Sequence, residues 1–511
     1  MAGLIPFPFE QPGVAGLNKE GRNTVLGPEW ATKASDLVID DEGRLATRKG
    51  TRAIAATDLP ADVQVVWTMV SNAGAVQTYC TTSAGIVYEL VSGTWTSVFT
   101  GLADGNVQFA AVNGIAYFVH SGTSLVHRQA TSGGSFATVA GSPSGKACLS
   151  MYGRLWVIDD TTVKTHSTVL DPTSGYLTAV ELTFAWEKGN DVSVALAEFN
   201  GALVIFGKNN TVIYANPEDP FDTATGTADW GNMFQKVESI SGVGCLHRDT
   251  VQNVGKDLLY LSNKGMRTLS RVVQEKSNPV TDAAPQVRDY ILDQVIAATD
   301  VRVKSAFSPK LGLYILTMAD TTLVLDARRP LANGALRATE WDSAMNAPAY
   351  DNANGLLMAR GEAVVRYSGV KDDVTSAGTG GTTLVGDFES GWIDFGNIVD
   401  GAAPLTKYLK KLHMTFVGGN GATIQYKWAV DYGTTFKTAS ATIPTPTTAA
   451  TYGVSQYGIG KYGEAVSIIS KTKNASRSGR VVKVGFKVLN SVSAFSVNRM
   501  DLFAKIGKMS T

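Results

Sequence analysis

The chain has 511 residues, 44% hydrophobic and 18% charged, with zero net charge at neutral pH; this composition excludes a disordered or fibrous chain and allows roughly two to four folded domains. Its 52 glycines, many Thr, Val and Ser, and scarce Glu/Lys/Leu/Ala stretches favour a mainly β protein with few helices. The neutral total hides a partition. From Gly401 onward fifteen Lys/Arg face three acids, giving +12 and leaving −12 on the first 400 residues, an asymmetry that bears on partners and orientation rather than on fold.

The opening "MAGLIPFPFEQPG" has no basic n-region and is broken by Pro6, Pro8 and Pro12, so it reads as an extended arm rather than a secretory signal. A Pro-rich arm suits a crossing to a neighbouring subunit, and Leu4, Ile5, Pro6, Phe7, Pro8 and Phe9 are the candidate contact. Residues 28–50 read as a short helical piece around Trp30 to Ala34, then a strand, a turn and a strand. The first fifty residues are too few to hold a core, so this module is expected on the C-terminal sandwich or on a neighbouring subunit.

From residue 51 to 370 one unit recurs: a Gly, four or five apolar residues, a polar turn, and a second apolar strand. Copies align on Gly85, Gly114, Gly153, Gly201, Asp257, Gly312 and Gly355, at spacings of 29, 39, 48, 56, 55 and 43. These bracket the roughly 40 to 50 residues of a four-stranded propeller blade. A lone hairpin is marginal in water, whereas blades stacked around an axis bury one another's apolar faces. The expectation is a β-propeller of about seven irregular blades, with a pair of β-sandwiches as the competing architecture. Trp341-Asp342 is the one Trp-Asp dipeptide, and kelch and aspartate-box repeats are missing, which argues against the enzymatic and signalling branches of the fold. Between Asp282 and Asp300 the period changes. Val287, Ile291 and Val295, widened by Leu292 and Ile296, predict one amphipathic helix on the rim, with Asp282 as N-cap and Pro285 in its first turn.

"TSAGTGGTT", Thr375 to Thr383, reads as a linker within residues 371–391. Residues 392–511 then read as a basic β-sandwich, with strands in "KKLHMTFVGG", "ATIQYKWAVDYG", "GRVVKVGFKVL" and "SVNRMDLFAKIG".

Chemical motifs are weak. Gly458, Gly460 and Gly463 match G-x-G-x-x-G without a βαβ context and sit in a Tyr-Gly beat at Tyr452, Tyr457 and Tyr462. "GSPSGKA", Gly141 to Ala147, lacks the spacing and hydroxyl of a phosphate loop. The five histidines form no metal spacing, and Cys80, Cys148 and Cys245 fit buried free thiols. Asp159/Asp160 and Asp372/Asp373 read as solvated turn acids. No catalytic, metal or cofactor residue is expected, and no stretch approaches the roughly 18 apolar residues of a membrane helix. The densest charge run, "SKTKNASRSGR", holds Lys471, Lys473, Arg477 and Arg480. It reads either as a solvated loop or as an electrostatic contact with DNA phosphates or an acidic protein.

"WATKASDLVIDDEGRLATRKG", "FNGALVIFGKNNTVIYANPEDPF", "LDARRPLANGALRATEWDS" and the ending "VNRMDLFAKIGK", in that order, resemble the nozzle or tail-hub proteins of short-tailed bacteriophages, which include packaged-DNA-stabilisation proteins. The resemblance implies a virion structural protein, six copies forming a ring below the head-to-tail adaptor, assembled in the host cytoplasm into the virion tail. It implies double-stranded DNA passing through the channel without sequence specificity, tail fibres or spikes on the flank, and no membrane insertion. No catalytic residues carry over. The four basic residues would then face the adaptor, the favoured placement, or contact DNA. The rival from another class is a carbohydrate-binding or polysaccharide-degrading propeller of a phage tail.

Overall fold

The computed structural model describes residues 4–22, 24, 26–120, 125–166, 175–186, 191–218, 220–221, 234–275, 282–341, 345–373, 381–396, 401–444, 468–490 and 493–507. Among them the chain builds a seven-bladed β-propeller and a β-sandwich. Blades 1 to 4 are four-stranded antiparallel sheets that begin with the innermost strands Val63–Val70, Val107–Val112, Ala147–Met151 and Ser193–Phe199. Blade 5 has three strands, Gln252–Val254, Asp257–Ser262 and Gly265–Thr268, and blade 6 has four, Lys304–Ser308 to Arg337–Trp341. Blade 7 takes Met345–Asp351, Gly355–Arg360 and Ala363–Tyr367 from its own sequence and its fourth strand, Thr51–Ala53, from before blade 1. The ring is closed by that borrowed strand.

Period-two alternation explains why the repeat is apolar on consecutive residues. A strand shows opposite faces at successive positions, and a blade has a neighbour on each face. In Leu313–Thr317, Leu313 and Ile315 pack toward blade 7 while Tyr314 and Leu316 pack toward blade 5. In Ala202–Gly207, Leu203 and Ile205 join the core shared with blade 3, and Val204 and Phe206 that shared with blade 5. One core joins Val63, Val66 and Cys80 of blade 1 to Ala349, Leu357 and Val364 of blade 7, completing the circle. Three of the aligned glycines close two-residue hairpins with both residues at positive φ: Asn113-Gly114, Tyr152-Gly153 and Asn200-Gly201, the geometry that matches strand twist.

The first copy is offset. Gly85 lies in the second turn of blade 1, between Val76–Thr82 and Val87–Val91, and the equivalent first turn holds Gly74. The short first interval of 29 reflects that shift. The rim helix is shorter than expected: a 3-10 turn Pro285–Val287 leads into Arg288–Ala297. Val287, Ile291 and Val295 are buried as the stripe requires, but Ile296 is 81% exposed. Asp282 is not the N-cap; it is buried and accepts a bond from Ala284 N–H at 2.9 Å.

The sandwich uses both ends of the chain. One sheet runs Ile468–Gly479, Lys407–Gly418, Phe495–Ile506, then Leu45–Thr47 and Leu37–Ile39, with Ile5–Glu10 also on Phe495–Ile506. The other runs Lys33–Ser35, Thr382–Glu389, Val482–Asn490, Thr423–Val430 and Lys437–Thr442. Leu412, Met414, Phe416 and Val497 meet Phe388, Phe486, Val488 and Tyr426 between them. The expected helical piece at Trp30 to Ala34 is instead extended, as strands Trp30–Ala31 and Lys33–Ser35, because sheet pairing outweighs a weak local propensity. Thr382 and Thr383 of the expected linker begin a sandwich strand; residues 374–380 lie outside the described residues.

At the junction, Arg48 is fully buried. Its guanidinium donates to both Asp372 oxygens at 2.8 and 2.6 Å and to Asp36 at 2.5 Å, and Thr51 Oγ1 donates to Asp372 at 3.2 Å. Asp372 is therefore a buried clamp, not a solvated turn acid. Burial raises its carboxyl pKa, but bonding to Arg48 and the charge of Arg360 outweigh this and hold it below the ordinary range. Arg48→Ala should cost about 3–5 kcal/mol in urea unfolding by taking the bidentate partner from buried Asp372, whose remaining cation is Arg360 at 3.0 Å, and the guanidinium from Asp36. Adding Asp372→Ala should cost much less than the sum of the two single changes.

Candidate functional site

Three places carry chemistry: the basic strand of the sandwich, the N-terminal arm and the propeller axis. The basic run is a strand, Ile468–Gly479, at the edge of its sheet, and not a loop. Residues opposite one another in an antiparallel pair share a face. Lys471, Lys473 and Arg477 sit opposite Met414, Leu412 and Leu409, all buried, so their stems cover the margin of the sandwich core while their heads reach water. Arg477 also donates to Thr435 O at 3.3 Å. Arg480 is exposed just beyond the strand. The structure thus brings the first three onto one face, and none of the four forms an ion pair among the described residues. The outer face is a row of Ser470, Thr472, Asn474, Ser476 and Ser478, with Thr472 Oγ1 2.7 Å from His413 Nδ1.

The arm, expected to reach a neighbour, is a strand of this chain's own sheet. Ile5–Glu10 pairs with Phe495–Ile506 from Ile5↔Ala504 to Glu10↔Arg499. Phe7 and Phe9 are 0% and 1% exposed and pack on Phe395, Phe7 with a ring separation of 4.2 Å. Proline has no N–H, so Ile5, Phe7 and Phe9 must carry the ladder while Pro6 and Pro8 turn their nitrogens to the free edge. That edge is poor in donors and resists strand addition. Leu4 is 44% exposed at its end. Phe7→Ala should destabilise the sandwich by about 3–5 kcal/mol, and paired Pro6→Ala and Pro8→Ala changes by under about 1 kcal/mol, both read from denaturant midpoints.

At the propeller axis the 3-10 turn Arg248–Thr250 before blade 5 and the first residue of blade 6, Lys304, place a charged plug. Arg248 donates to Asn106 O at 3.1 Å and Asn106 Oδ1 at 2.8 Å, and also to Lys146 O of blade 3. Lys304 donates to Asn106 Oδ1 at 2.9 Å and pairs with Asp249, which Arg248 Nε also approaches at 3.2 Å. Loops and strands of blades 2, 3, 5 and 6 are thereby tied across the axis. Above the plug lies a cavity of about 310 Å³, walled by Trp67, Gln108, Phe109, Gln252, Phe307 and Tyr350. Burial raises the Asp249 pKa, yet Arg248 and Lys304 outweigh it and keep the carboxyl below its ordinary range.

Sequence reading missed this plug because its members lie up to 198 positions apart and only ring closure assembles them. The available signal was Lys304, a cation opening an inner strand. Among the remaining motifs, the Tyr-Gly beat with Gly458, Gly460 and Gly463 lies outside the described residues. Asp159 caps a turn, accepting from Thr161 N at 2.8 Å and Thr162 N at 2.6 Å. Cys80, Cys148 and Cys245 are buried, and desolvation pushes the Cys148 and Cys245 thiols up to about 12. Among the described residues no three His, Cys, Asp or Glu side chains gather as a metal site, and no helix is long and apolar enough to cross a membrane.

No family model matches the sequence, and no curated protein matches it. Among solved structures the chain is similar to the WD40 β-propeller domain of Doa1, at 13% identity over 62% of this chain and 96% of that one, with a TM-score of 0.37. It is similar to a chain of a mitotic checkpoint complex at 13% identity, covering 64% and 95%, TM-score 0.34. A third likeness is to Raptor from Chaetomium thermophilum at 9% identity, covering 63% of this chain and 29% of that one, TM-score 0.37. The blade assignment stands on the strand order and owes nothing to these likenesses.

Asp249→Asn removes the plug's counter-charge and should cost about 3–5 kcal/mol at neutral pH. Because the folded carboxyl is held below its unfolded pKa, its stabilisation is present above that value and lost as pH falls through the folded one. The gap between wild type and Asp249→Asn in urea midpoints should accordingly close in acid.

Proposed function

We propose that this chain is a structural subunit of a short-tailed phage tail: a nozzle or hub protein, non-enzymatic, of which several copies, six by the resemblance, surround a DNA exit path. The observation that carries the reading is mechanical. A propeller and a sandwich share strands and a buried ion clamp at Arg48 and Asp372, which suits a block that transmits load. The plugged blade axis agrees with a path that runs between copies and not through the blades.

The basic strand then meets an acidic surface of the head-to-tail adaptor. A conduit that neutralised many phosphates would release counterions and hold the DNA it must let go, so sparse contact with DNA and firm contact with the adaptor fit the task. The stems of Lys471, Lys473 and Arg477 cover core margin, and glutamine changes control for that packing.

Two measurements test this. Negative-stain images of the purified protein or its virion should show rings with an axial hole; monodisperse single subunits, together with virions lacking the chain, would remove the reading. Charge reversal to Glu at Lys471, Lys473, Arg477 and Arg480 should abolish adaptor docking with normal DNA retention, the glutamine set giving an intermediate loss. Normal docking with leaking DNA would move the strand to the DNA side.

A further inference from the structure

The cavity above the axial plug has a chemical character of its own. At about 310 Å³ it stands at the small end of ligand sites, which span roughly 300–1,000 Å³, so it accommodates one ring-sized group. Trp67 lies flat on Phe109, ring centroids 5.1 Å apart and planes 8° from parallel, and Tyr79 is 5.6 Å from the indole. The indole is thus fixed at the boundary of blades 1 and 2 while remaining partly exposed.

The polar groups of the wall are half satisfied. Gln108 accepts from Cys148 N–H through Oε1 at 2.9 Å, which leaves its amide N–H groups. Gln252 donates through Nε2 to Ser305 O at 3.0 Å, which leaves Oε1. The Trp67 indole N–H makes no hydrogen bond among the described residues. The wall therefore offers neutral donors and neutral acceptors beside aromatic faces.

The charges of the floor are mostly committed. Arg248 and Lys304 are committed to Asp249, Asn106 and Lys146 O. Those pairs occupy most of the floor's N–H donors and leave it one net positive charge, which disfavours a cation and makes phosphate the charged competitor to measure. Aromatic faces attract weakly polarised C–H groups through the ring quadrupole, and amides match hydroxyls. We propose that this funnel binds a single neutral sugar ring, stacked against Trp67 and hydrogen-bonded by Gln108 and Gln252.

The site binds without cleaving. Glycoside hydrolysis needs two carboxyl groups flanking the bond, and Asp249, ion-paired to both cations, is the one carboxylate among the lining residues. The assignment does not rest on the nozzle reading, since ring assembly and sugar binding are separate measurements.

The test is saturation-transfer NMR on the full chain with glucose, galactose, mannose, rhamnose and N-acetylglucosamine, with inorganic phosphate titrated by phosphorus NMR as the charged control. Ring protons of at least one sugar should receive transfer, phosphate should leave its signal unmoved, and Trp67→Leu should weaken the sugar about tenfold, roughly 1.4 kcal/mol. Trp67→Phe, which keeps the stack on Phe109 but lacks the indole N–H, should give a smaller loss. If Trp67→Leu does not fold, Gln252→Met should weaken the same sugar while circular dichroism stays native. No transfer to any sugar, transfer unchanged in these variants, or preference for phosphate overturns the proposal.

Discussion

Everything in this fold depends on closing the ring, and the closing strand is three residues long. Thr51–Ala53 pairs with blade 7 on one side, and Thr51 also meets Asp372 on the other. So short a strand has little apolar surface with which to fix its register. The register is fixed instead by charge: Arg48, three residues before Thr51, reaches the carboxylate that follows blade 7. A buried ion pair is a weak source of net stability but a strong penalty on misalignment, because any slip strands an unpaired charge. The chain thus leaves the sandwich and returns to it at one carboxylate.

That closure also explains which parts of the fold were legible in the sequence. Blades buried on both faces write runs such as "ALVIFG" and "LYILT", and the Gly-bearing two-residue turns punctuate them; both are local signals. The sandwich strands were readable for the same reason, as was the stripe of Val287, Ile291 and Val295. What escaped reading depends on distant partners. Lys33–Ser35 is a strand because Thr382–Glu389 and Arg337–Trp341 lie on either side of it, each some 300 or more positions away. Asp372 resembles any turn acid until Arg48 is placed next to it, and Phe7 resembles an exposed arm until Phe395 is. The offset at Gly85 arose because both hairpins of blade 1 carry turn glycines, so local composition did not distinguish the first from the second.

The charge partition takes on a different meaning once the domain boundary is known. Counting charge from Thr382, where the sandwich strands resume, rather than from Gly401 adds Asp387, Glu389, Asp394 and Asp400, so fifteen cations face seven acids and the surplus is +8. Two of those acids are spent inside: Lys427 and Lys33 pair with Asp387, and Lys427 and Lys483 with Glu389. Lys407 is buried and donates to Ala403 O at 3.1 Å and Arg480 O at 2.6 Å. Part of the positive charge is therefore structural, with Lys33, Lys427 and Lys483 tying four neighbouring strands of one sheet through Asp387 and Glu389. Of the cations left over, Lys410, Lys411, Lys437 and Lys505 are exposed. The densest run is the edge strand with Lys471, Lys473 and Arg477, none of which forms an ion pair among the described residues.

The centre of the propeller is bridged from Arg248 to Lys146 and from Lys304 to Asn106, and separate cavities with different linings meet this bridge at Arg248 and Asp249. One of them is aromatic and amide-bearing, suited to a small neutral molecule. The basic edge strand lies on the other module and suits a macromolecular surface. The two regions are separated by the shared strands and the Arg48 clamp: the sandwich joins the propeller at the rim of blades 6 and 7, where Ser35 meets Glu340 and Thr51 meets Tyr367, and the packed blades lie between that rim and the axis.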